Sequence, residues 1–387
     1  MRSAAAPQLD DRPVVAVFRG PLFNPSEGFI QMQAAALDRY QPLLVGLERV
    51  GNFVPALEDR AVVAPSLRSR LAIRLLGRWG ALGERVRACR PVLVHAHFAT
   101  DGLAALPLAR ALGVPLVTSL RGYDVTRSRA ALLRSGRLSW MRLALGRRRL
   151  MEEGSLFLAV SDALRRRALA QGYPEARTLT HYNGVDLSHF RPGERPPKRG
   201  LILFVGRLVE KKGVALLLEA FAQVIEAAPE ARLRIVGDGP LAPTLRSRAA
   251  ELGIAAKVEF AGALPADKVV VQMRRAWLLA APSLTAGDGD AEGLPNSVVE
   301  AAASGVPVVA SDHAGIPEAV DQERTGLLVP EGDIEALARA LTTLLGAPDR
   351  RHAMARAARA LAEARFDLAR QTARLEAIYD RVRGLSV

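Results

Sequence analysis

An α/β fold with two doubly wound parallel sheets, one in each half of the chain, is predicted from this sequence. Short apolar runs rich in Val, Leu and Ile alternate with longer helical patterns throughout, which is typical of parallel sheets covered by helices on both faces. The 387 residues exceed what one hydrophobic core of ordinary size accommodates. A polar, proline-rich segment at 191–200, RPGERPPKRG, separates the two series of runs and is typical of a linker.

The predicted strands are the continuous apolar runs, because a strand buried on both faces need not alternate with polar residues. In the first half we expect strands at 13–18, 42–46, 91–97, 114–120, 155–160 and 177–182. In the second half we expect strands at 201–206, 231–237, 257–262, 276–282, 306–311 and 326–330. The segments 112–119 and 304–311 share one design, in which Gly ends a helix, Pro shapes the turn and a buried strand follows. This echo fits an internal duplication and equally an ordinary helix-to-strand junction.

These patterns predict an N-terminal Rossmann-like domain at 1–190, a linker at 191–200 and a C-terminal Rossmann-like domain at 201–365. From about Pro348 the tail is helical in pattern, with Ala, Leu and Arg at helical spacing. Ligands of open parallel sheets bind at the carboxyl ends of the strands. We therefore expect the two domains to face each other across a cleft that holds the chemistry.

Cysteine content and hydropathy bound the compartment. The single cysteine, Cys89, excludes an internal disulfide and a multi-cysteine zinc site and favours a reducing compartment. No run approaches the ~18 apolar residues of a membrane-spanning helix. Residues 1–13 lack a long apolar core, so we expect no signal peptide. A cytoplasmic protein is predicted.

The net charge of +13 is unevenly distributed. Residues 1–200 carry 31 Lys and Arg against 16 Asp and Glu, whereas residues 201–387 carry 22 against 24. The basic half suggests an anionic partner, namely nucleic acid, a membrane surface or a phosphorylated substrate, while codon bias of a GC-rich genome is the alternative. Aromatic residues make up 5% of the chain, too few for base stacking, and no RNA-binding signature is present, so we expect no nucleic-acid partner.

The stretch EGLPNSVVE at 292–300 places two carboxylates around a proline. Because proline is tolerated in the first turn of a helix and not in its interior, a helix is predicted to begin near Pro295–Asn296. Glu292 then lies in the preceding loop and Glu300 in the second turn, with the first-turn N–H groups as an anion site between them. A nucleotide sugar has the matching order of sugar hydroxyls, diphosphate and ribose hydroxyls. Two surface acids near a helix start are the structural alternative.

Two glycine turns follow predicted strands of the second half. In FVGRLVEKKG (204–213), Arg207 and Lys212 follow the carboxyl end of a strand, where two cations can neutralise a departing diphosphate. In IVGDGPL (235–241), Gly237 opens a second turn. This turn contains G-x-G without the full dinucleotide fingerprint, so it is weak support for a nicotinamide cofactor.

Two patterns superficially suggest metal binding. Asp288 and Asp290 form a D-x-D pair, but at the twelfth position of a calcium loop the chain has Val299 in place of an acid. His95 and His97 end a predicted strand without a third ligand in sight. We expect no metal site.

Taken together, several motifs resemble glycosyltransferase family 4, whose members are retaining transferases of the GT-B fold. They are GRLVEKKG, IVGDGPL, the segment 282–320 and HYNGVDLSHFRP at 181–192. The segment 95–126 is similar to the colanic-acid and exopolysaccharide branch of that family. The likeness covers roughly residues 13–385.

The resemblance implies roles for individual residues. Glu292 would contact the donor sugar, Glu300 the ribose, and Arg207 and Lys212 the diphosphate, with no metal and no other cofactor required. It also implies that a final helix, at 366–387, returns to the N-terminal domain. The remaining donor-binding positions implied by the motifs are Gly293, Leu294, Pro295, Asn296 and Gly237.

Two positions depart from the branch pattern, and both belong to the predicted donor site. Arg121 stands where the branch has a histidine beside the donor sugar. In NPSEGFI at 24–30, Gly28 replaces a threonine, and a glycine there lets the backbone approach the donor phosphates.

The resulting prediction is a hexosyltransferase whose C-terminal domain binds a UDP- or GDP-linked sugar and whose basic N-terminal domain binds the acceptor. The acceptor is either a lipid-linked saccharide of exopolysaccharide biosynthesis, at the inner face of the plasma membrane, or a soluble small molecule. Another two-domain nucleotide-sugar enzyme, such as a 2-epimerase, is the alternative enzyme, and a basic nucleic-acid-binding protein is the non-enzymatic one.

The densest basic segment, 121–149, carries nine arginines and one acid. It suits an anionic bilayer surface, with arginines on lipid phosphates and Leu138, Trp140 and Met141 as apolar contacts. A solvated amphipathic helix is the alternative.

Overall fold

The computed structural model describes residue 7 and residues 9–24, 27–51 and 55–384. The chain forms two compact units. The first contains the residues up to Gly184 together with those from Leu368 onward, and the second contains Val185–Asp367. No described helix is both long enough and apolar enough to cross a membrane.

The first unit is built on a seven-stranded sheet in which every neighbouring pair is parallel, with the strand order β5-β3-β1-β6-β7-β8-β9. A separate short pair joins β2 to β4. The strands are β1 (Val14–Phe18), β2 (Pro21–Leu22), β3 (Gln41–Gly46), β4 (Glu48–Arg49), β5 (Ala61–Val63), β6 (Leu93–His97), β7 (Leu116–Leu120), β8 (Leu156–Ala159) and β9 (Thr178–Thr180).

Helices cover both faces of this sheet. Along β1, Val14 and Ala16 belong to one buried cluster and Val15 and Val17 to another, as the alternation of side chains along a strand requires. The helices are α1 (Gly28–Ala35), α2 (Leu67–Leu71), α3 (Gly80–Ala88), α4 (Ala99–Leu112), α5 (Tyr123–Thr126), α6 (Arg129–Arg134), α7 (Leu138–Glu153) and α8 (Asp162–Ala170), with 3₁₀ turns at Pro55–Arg60 and Glu175–Arg177 and a π-helical turn at Ala72–Leu76.

The second unit is built on a six-stranded parallel sheet with the strand order β12-β11-β10-β13-β14-β15. Its strands are β10 (Leu201–Val205), β11 (Arg232–Val236), β12 (Val258–Gly262), β13 (Leu278–Ala281), β14 (Val308–Ser311) and β15 (Gly326–Val329). Its helices are α9 (Val214–Ala227), α10 (Ala242–Glu251), α11 (Ala266–Arg275), α12 (Asn296–Ala303), α13 (Ile334–Gly346) and α14 (Pro348–Arg365), with 3₁₀ turns at Glu210–Lys212, Ala255–Lys257 and Ile316–Glu318. Every predicted strand is present in the two sheets.

The segment 191–200, predicted as a linker, lies inside the second unit. Arg274 in α11 donates hydrogen bonds to the backbone oxygens of His189, at 2.8 Å, and of Arg191, at 3.1 Å. The backbone N–H of Lys198 donates to the oxygen of Arg275 at 2.8 Å. These bonds explain why a polar, proline-rich segment is held against the unit that follows it.

The helical tail is divided in two. After α14 the chain turns at Phe366, whose side chain is fully buried and whose backbone oxygen accepts the N–H of Val185 at 2.7 Å. The last helix, α15 (Leu368–Val382), belongs to the first unit. There Oε1 of Glu376 accepts the backbone N–H groups of Asp38 and Arg39, both at 2.8 Å.

Candidate active site

The loop after β10 places two lysines at the carboxyl end of the second unit's sheet. Beyond Val205 the chain forms the 3₁₀ turn Glu210–Lys212, which ends at Gly213. Gly213 has a φ of 64°, and a Cβ at this position would lie 1.8 Å from the backbone oxygen of Pro282. Only glycine therefore allows this loop to meet the loop after β13.

Glu292, in the loop after β13, is buried beside both lysines. Nζ of Lys212 lies 3.0 Å from Oε1 of Glu292, and Nζ of Lys211 lies 4.0 Å from the same oxygen. Lys211 also lies 3.2 Å from Oδ1 of Asp290 and donates to the backbone oxygen of Ala291 at 3.3 Å. The lysines thus hold the carboxylate of Glu292 and the backbone that precedes it.

The ionisation of Glu292 is set by competing effects. Burial, which leaves 7% of the residue exposed, disfavours its charged form. The charges of Lys212 and Lys211 outweigh burial and lower the pKa of Glu292 to about 2. Glu292 is consequently a fixed carboxylate at neutral pH, and a carboxylate only accepts hydrogen bonds. It therefore suits a ligand with hydroxyl donors.

His313 and Glu331 brace the same loop. Nε2 of His313 accepts the backbone N–H of Glu292 at 3.4 Å, and Nδ1 lies 2.8 Å from Oε2 of Glu331. These contacts select the tautomer with the proton on Nδ1. Oε1 of Glu331 accepts the N–H of Thr285 at 2.5 Å, and its hydrogen bonds outweigh burial and lower the pKa of Glu331. Both ends of the loop are thus tied to one carboxylate.

Helix α12 begins at Asn296, directly after Pro295, where the sequence placed it. Gly293 and Leu294 connect this helix to Glu292 and are buried. Within the described part of the chain, no side chain caps the helix start. The amide groups of a helix start can bind an anion, so a phosphate placed here would lie next to a fixed carboxylate and its lysines.

Glu300 lies in the second turn of α12 and is partly buried. Burial raises the pKa of Glu300 to about 7, although the charge of Lys212 acts in the opposite direction. Because Lys212 acts on both carboxyl groups, the structure brings Lys212, Glu292 and Glu300 together. The two acids differ in charge at neutral pH, a separation often found where acids have different roles.

Arg207 and Gly237 lie where β10 and β11 end. Arg207 is exposed, and its side chain makes no hydrogen bond or ion pair with any residue that the structure describes. Gly237 has a φ of 140°, and a Cβ there would lie 1.8 Å from the backbone oxygen of Gly206. A Cβ on Gly206 would in turn lie 3.4 Å from Cε of Lys212.

Arg121 belongs to the first unit and lies in a polar cluster there. Nη1 donates to Oδ1 of Asn183, Nη2 lies 2.8 Å from Nδ1 of His97, and the guanidinium lies 4.5 Å from the ring centre of Phe29. Asp124 accepts the backbone N–H of Arg121, at 3.1 Å. Burial lowers the pKa of Arg121 to about 9. Among the described residues the guanidinium forms no ion pair, and its Nε is buried without a hydrogen-bond partner.

His95 and His97 serve the hydrogen-bond network of the first unit. Nδ1 of His95 lies 2.7 Å from the hydroxyl of Tyr379, and Nε2 lies 2.8 Å from Oγ of Ser119. Burial lowers the pKa of both histidines well below the usual range. In the part of the chain that the structure describes, no three His, Cys, Asp or Glu side chains are grouped as metal ligands.

Gly28 is the first residue of α1, beside an ion-pair cluster. Arg19 donates two hydrogen bonds to Glu27, at 2.7 and 2.8 Å, and one to Asp101 at 2.7 Å. A Cβ on Gly28 would meet no atom of the described residues within 4 Å, so their packing does not require glycine there. Residues 25 and 26 of the predicted donor loop lie outside the described residues.

Sequence reasoning selected Lys212 and missed its neighbours. Lys211 is adjacent in sequence, and only burial shows that it also points inward. Asp290 was considered as a metal ligand, whereas the structure pairs it with Lys211. Nothing in the pattern around His313 or Glu331 indicated a bond between them.

Two family models match the chain and together cover nearly all of it. The model described as "Glycosyltransferase Family 4" matches residues 9–189. The model described as "Glycosyl transferases group 1" matches residues 187–361. Each model therefore covers one of the two predicted domains.

Three curated relatives are similar to this chain. The putative colanic acid biosynthesis glycosyltransferase WcaL of Escherichia coli is 36% identical over 64% of this chain and 59% of its own length. The amylovoran biosynthesis glycosyltransferase AmsK of Erwinia amylovora is 29% identical over 86% of this chain and 83% of its own length. A GDP-mannose-dependent alpha-(1-6)-phosphatidylinositol monomannoside mannosyltransferase of Mycolicibacterium smegmatis is 33% identical over 65% of this chain and 67% of its own length.

A solved structure has the same fold. The Anabaena protein Alr3699/HepE in complex with UDP-glucose aligns with a TM-score of 0.76 and 21% identity, over 95% of this chain and 99% of that one. The predicted GT-B fold class and the predicted family are both confirmed by these matches. This chain belongs to glycosyltransferase family 4.

Proposed function

We propose that the protein transfers a hexose from a nucleotide-diphosphate sugar to a lipid-linked saccharide in exopolysaccharide biosynthesis, with retention of anomeric configuration. The observation that carries the proposal is the cluster of Lys212, Glu292 and Glu300 around the start of α12. It offers an ionised acid, a cation, an anion-binding helix start and a second acid. A nucleotide-diphosphate sugar has sugar hydroxyls for the first acid, a diphosphate for the cation and the helix start, and ribose hydroxyls for the second acid.

Each residue of the cluster has a proposed role. Lys212, with the exposed Arg207 and the amides of α12, neutralises the diphosphate as it departs. Glu292 accepts hydrogen bonds from sugar hydroxyls, and Glu300 accepts them from the ribose. UDP-glucose bound to the Anabaena protein and the GDP-mannose named for the mycobacterial relative support a UDP- or GDP-linked donor.

The proposed reaction exchanges one bond for another at the anomeric carbon. The bond from C1 to the β-phosphate oxygen breaks, and its electron pair leaves with the nucleoside diphosphate. The acceptor hydroxyl oxygen forms the new bond to C1 from the same face, and its proton passes to the departing phosphate. No protein nucleophile and no metal ion enter this scheme, because Lys212 and Arg207 supply the positive charge.

The proposed acceptor is lipid-linked and the proposed place of action is the cytoplasmic face of the plasma membrane. Relatives named for colanic acid, amylovoran and a phosphatidylinositol mannoside support such an acceptor. The basic first half of the chain suits the phosphates of a lipid-linked substrate. We propose that the first unit binds this acceptor and the second unit the donor.

Incubation with UDP- and GDP-hexoses and lipid-linked saccharides, followed by NMR of the product, tests the proposal. We expect the anomeric configuration of the donor to be kept, and turnover to continue in excess EDTA because Lys212 and Arg207 supply the positive charge that a metal ion would otherwise provide. An inverted product would refute retention. Activity that EDTA abolishes and Mg²⁺ or Mn²⁺ restores would assign a metal role to Asp288 and Asp290. Turnover without any acceptor would favour an epimerase.

Substitutions of the two glutamates are expected to change different properties of the enzyme, nucleotide affinity in one case and kcat in the other. Glu300→Ala should weaken nucleoside diphosphate binding by about 10- to 150-fold, because a charge-assisted hydrogen bond is worth about 1.5–3 kcal/mol. Glu292→Ala should leave that affinity nearly unchanged and lower kcat with the full donor. Calorimetric titration of UDP and GDP, beside initial rates, separates the two effects. Equal losses of nucleotide affinity in both variants would contradict the assigned roles.

A further inference from the structure

Exposed apolar side chains of the first unit concentrate on two segments. Among the described residues, most of the large hydrophobic side chains that are strongly exposed lie in 67–76 and in α6–α7. Seven of these side chains are between 37% and 68% exposed: Leu67, Leu71, Leu75, Leu76, Leu138, Met141 and Leu145. We call these seven side chains the leucine surface.

The two segments are neighbours. Nη1 of Arg142 in α7 donates to the backbone oxygen of Ile73 at 3.3 Å. Both segments also pack on neighbouring turns of α4. A Cβ on Gly77, which directly follows the first segment, would lie 2.8 Å from the side chain of Pro107. A Cβ on Gly146 of α7 would lie 2.7 Å from the side chain of Leu103. The leucine surface is therefore shared between adjacent segments.

Helical spacing explains why these side chains point outward. Leu67, Leu71 and Leu75 are four residues apart, and Leu138, Met141 and Leu145 are three and four apart, so each set forms one stripe. The core is served by other residues of the same segments, such as the buried Ile73 and Leu143. Each segment thus has an apolar stripe beyond the one that stabilises the fold, and contiguous exposed apolar surface is uncommon unless it binds something.

Arginines flank the leucine surface. The side chains of Arg68, Arg78 and Arg134 are exposed and make no hydrogen bond or ion pair with the described residues. Arg70 and Arg74 differ from these three, because they share an ion-pair partner, Glu48. Cations that lack a protein partner next to apolar side chains complement a surface with anionic groups above hydrocarbon.

One sequence prediction about this face is wrong. Trp140 was expected to supply apolar contact, but it is only 9% exposed. Its ring stacks on Tyr123, with centroids 4.8 Å apart, and the guanidinium groups of Arg127 and Arg137 lie 4.2 and 4.5 Å from it. Trp140 therefore anchors α7 to the fold, and the segment 67–76, which carried no prediction, supplies apolar side chains instead.

We propose that the leucine surface docks the first unit on an anionic phospholipid bilayer. The leucines and Met141 enter the boundary between headgroups and acyl chains, and Arg68, Arg78 and Arg134 bind lipid phosphates. Docking would bring the enzyme to the membrane that carries the lipid-linked acceptor, and this purpose of the leucine surface rests on the proposed function. Docking is reversible, because salt screens the arginines over a Debye length of about 8 Å at physiological ionic strength.

Co-sedimentation of the full chain with vesicles tests this surface. The vesicles are pure phosphatidylcholine and an equimolar mixture of phosphatidylcholine with phosphatidylglycerol. We expect binding to the mixed vesicles at low salt and release at high salt. An apolar variant, Leu71→Ser with Leu75→Ser and Leu145→Ser, should lose about tenfold or more of this binding. Val271→Ser removes an exposed apolar side chain of the second unit and is the matched control.

A charge variant tests the arginines separately. Arg68→Glu with Arg78→Glu and Arg134→Glu should abolish the preference for phosphatidylglycerol. Its control is Arg166→Glu with Arg195→Glu and Arg199→Glu, which changes as many exposed arginines outside the leucine surface and should keep the preference. All four variants should keep the wild-type circular dichroism, because they alter exposed side chains.

Three outcomes would overturn the proposal. The first is equal binding to both vesicle types, and the second is no binding at low salt. The third is a wild-type dimer that becomes monomeric in the apolar variant, together with no binding of the wild type to vesicles. Calorimetric titration of UDP and GDP separates this inference from the proposed function. Vesicle binding without nucleotide binding would remove the proposed function and leave the surface, whereas nucleotide binding without vesicle binding would remove only the surface.

Discussion

Replacing Lys212 by alanine is expected to lower kcat by about 10²–10³-fold, the usual effect of removing one fixed group that stabilises developing negative charge. Nζ of Lys212 lies 3.0 Å from Glu292 and also acts on the charge of Glu300. Without it, the proposed diphosphate leaving group loses a cation, and Glu292 loses the largest effect that opposes its burial. The pKa of Glu292 should rise as a result.

Initial rates with saturating donor measure this effect. Lys268→Ala is the control, because Lys268 is an exposed lysine of the same unit that pairs with the neighbouring Asp267. Lys212→Arg should recover part of kcat, since it restores the charge with a different shape. Circular dichroism should show that the alanine variant is folded. Wild-type kcat in a folded Lys212→Ala would exclude the residue from the reaction.

Glu300→Gln is expected to stabilise the protein at alkaline pH by about 3 kcal/mol and to have no effect in mild acid. The folded-state pKa of Glu300, about 7, lies above the ordinary value of 4.5. Below 4.5 the carboxyl is protonated in both states and contributes nothing. As pH rises from 4.5 through 7 the unfolded state releases its proton first, so wild-type stability falls, and above 7 the full cost remains.

Urea unfolding at about pH 4 and about pH 9 measures the difference between wild type and Glu300→Gln. Glu230→Gln is the control, because Glu230 is an exposed glutamate of the same unit, and its effect should not change with pH. If the ionised form of Glu300 binds ribose, affinity for UDP or GDP should also rise through pH 7 in the wild type alone. A pH-independent difference in stability would show that the carboxyl of Glu300 is not shifted.

The sheets were predictable because burial on both faces demands uninterrupted apolar runs. All five residues of Val14–Phe18 are buried, and the run is visible in the sequence. The edge strand Ala61–Val63 was not predicted, although the equally short strand at the other edge, Thr178–Thr180, was. The boundary after residue 365 was placed by the family resemblance, which implied a final helix at 366–387, and not by the helical pattern of the tail. No proline or glycine interrupts the helical pattern there, and the turn depends on the burial of Phe366.

The candidate site was predictable only in part. Proline chemistry located the start of α12 and thereby the positions of Glu292 and Glu300 relative to it. Lys212 was selected from its place after a predicted strand and from the family resemblance. That Lys211 also points inward could not be predicted, because a 3₁₀ turn directs neighbouring side chains in ways that helical spacing does not describe. The bond between His313 and Glu331 joins different loops, and a single sequence carries no signal for such a pairing.

The discontinuity of the first unit has a consequence for synthesis on the ribosome. Val185–Asp367 is one uninterrupted segment, and domains generally fold as units while the chain emerges. The first unit, although translated earlier, needs α15, whose Glu376 accepts the backbone N–H groups of Asp38 and Arg39 and whose Tyr379 bonds to His95. The unit whose synthesis begins first is thus completed last. A nascent chain that stops before Leu368 leaves the surface on which α15 packs exposed to chaperones and proteases.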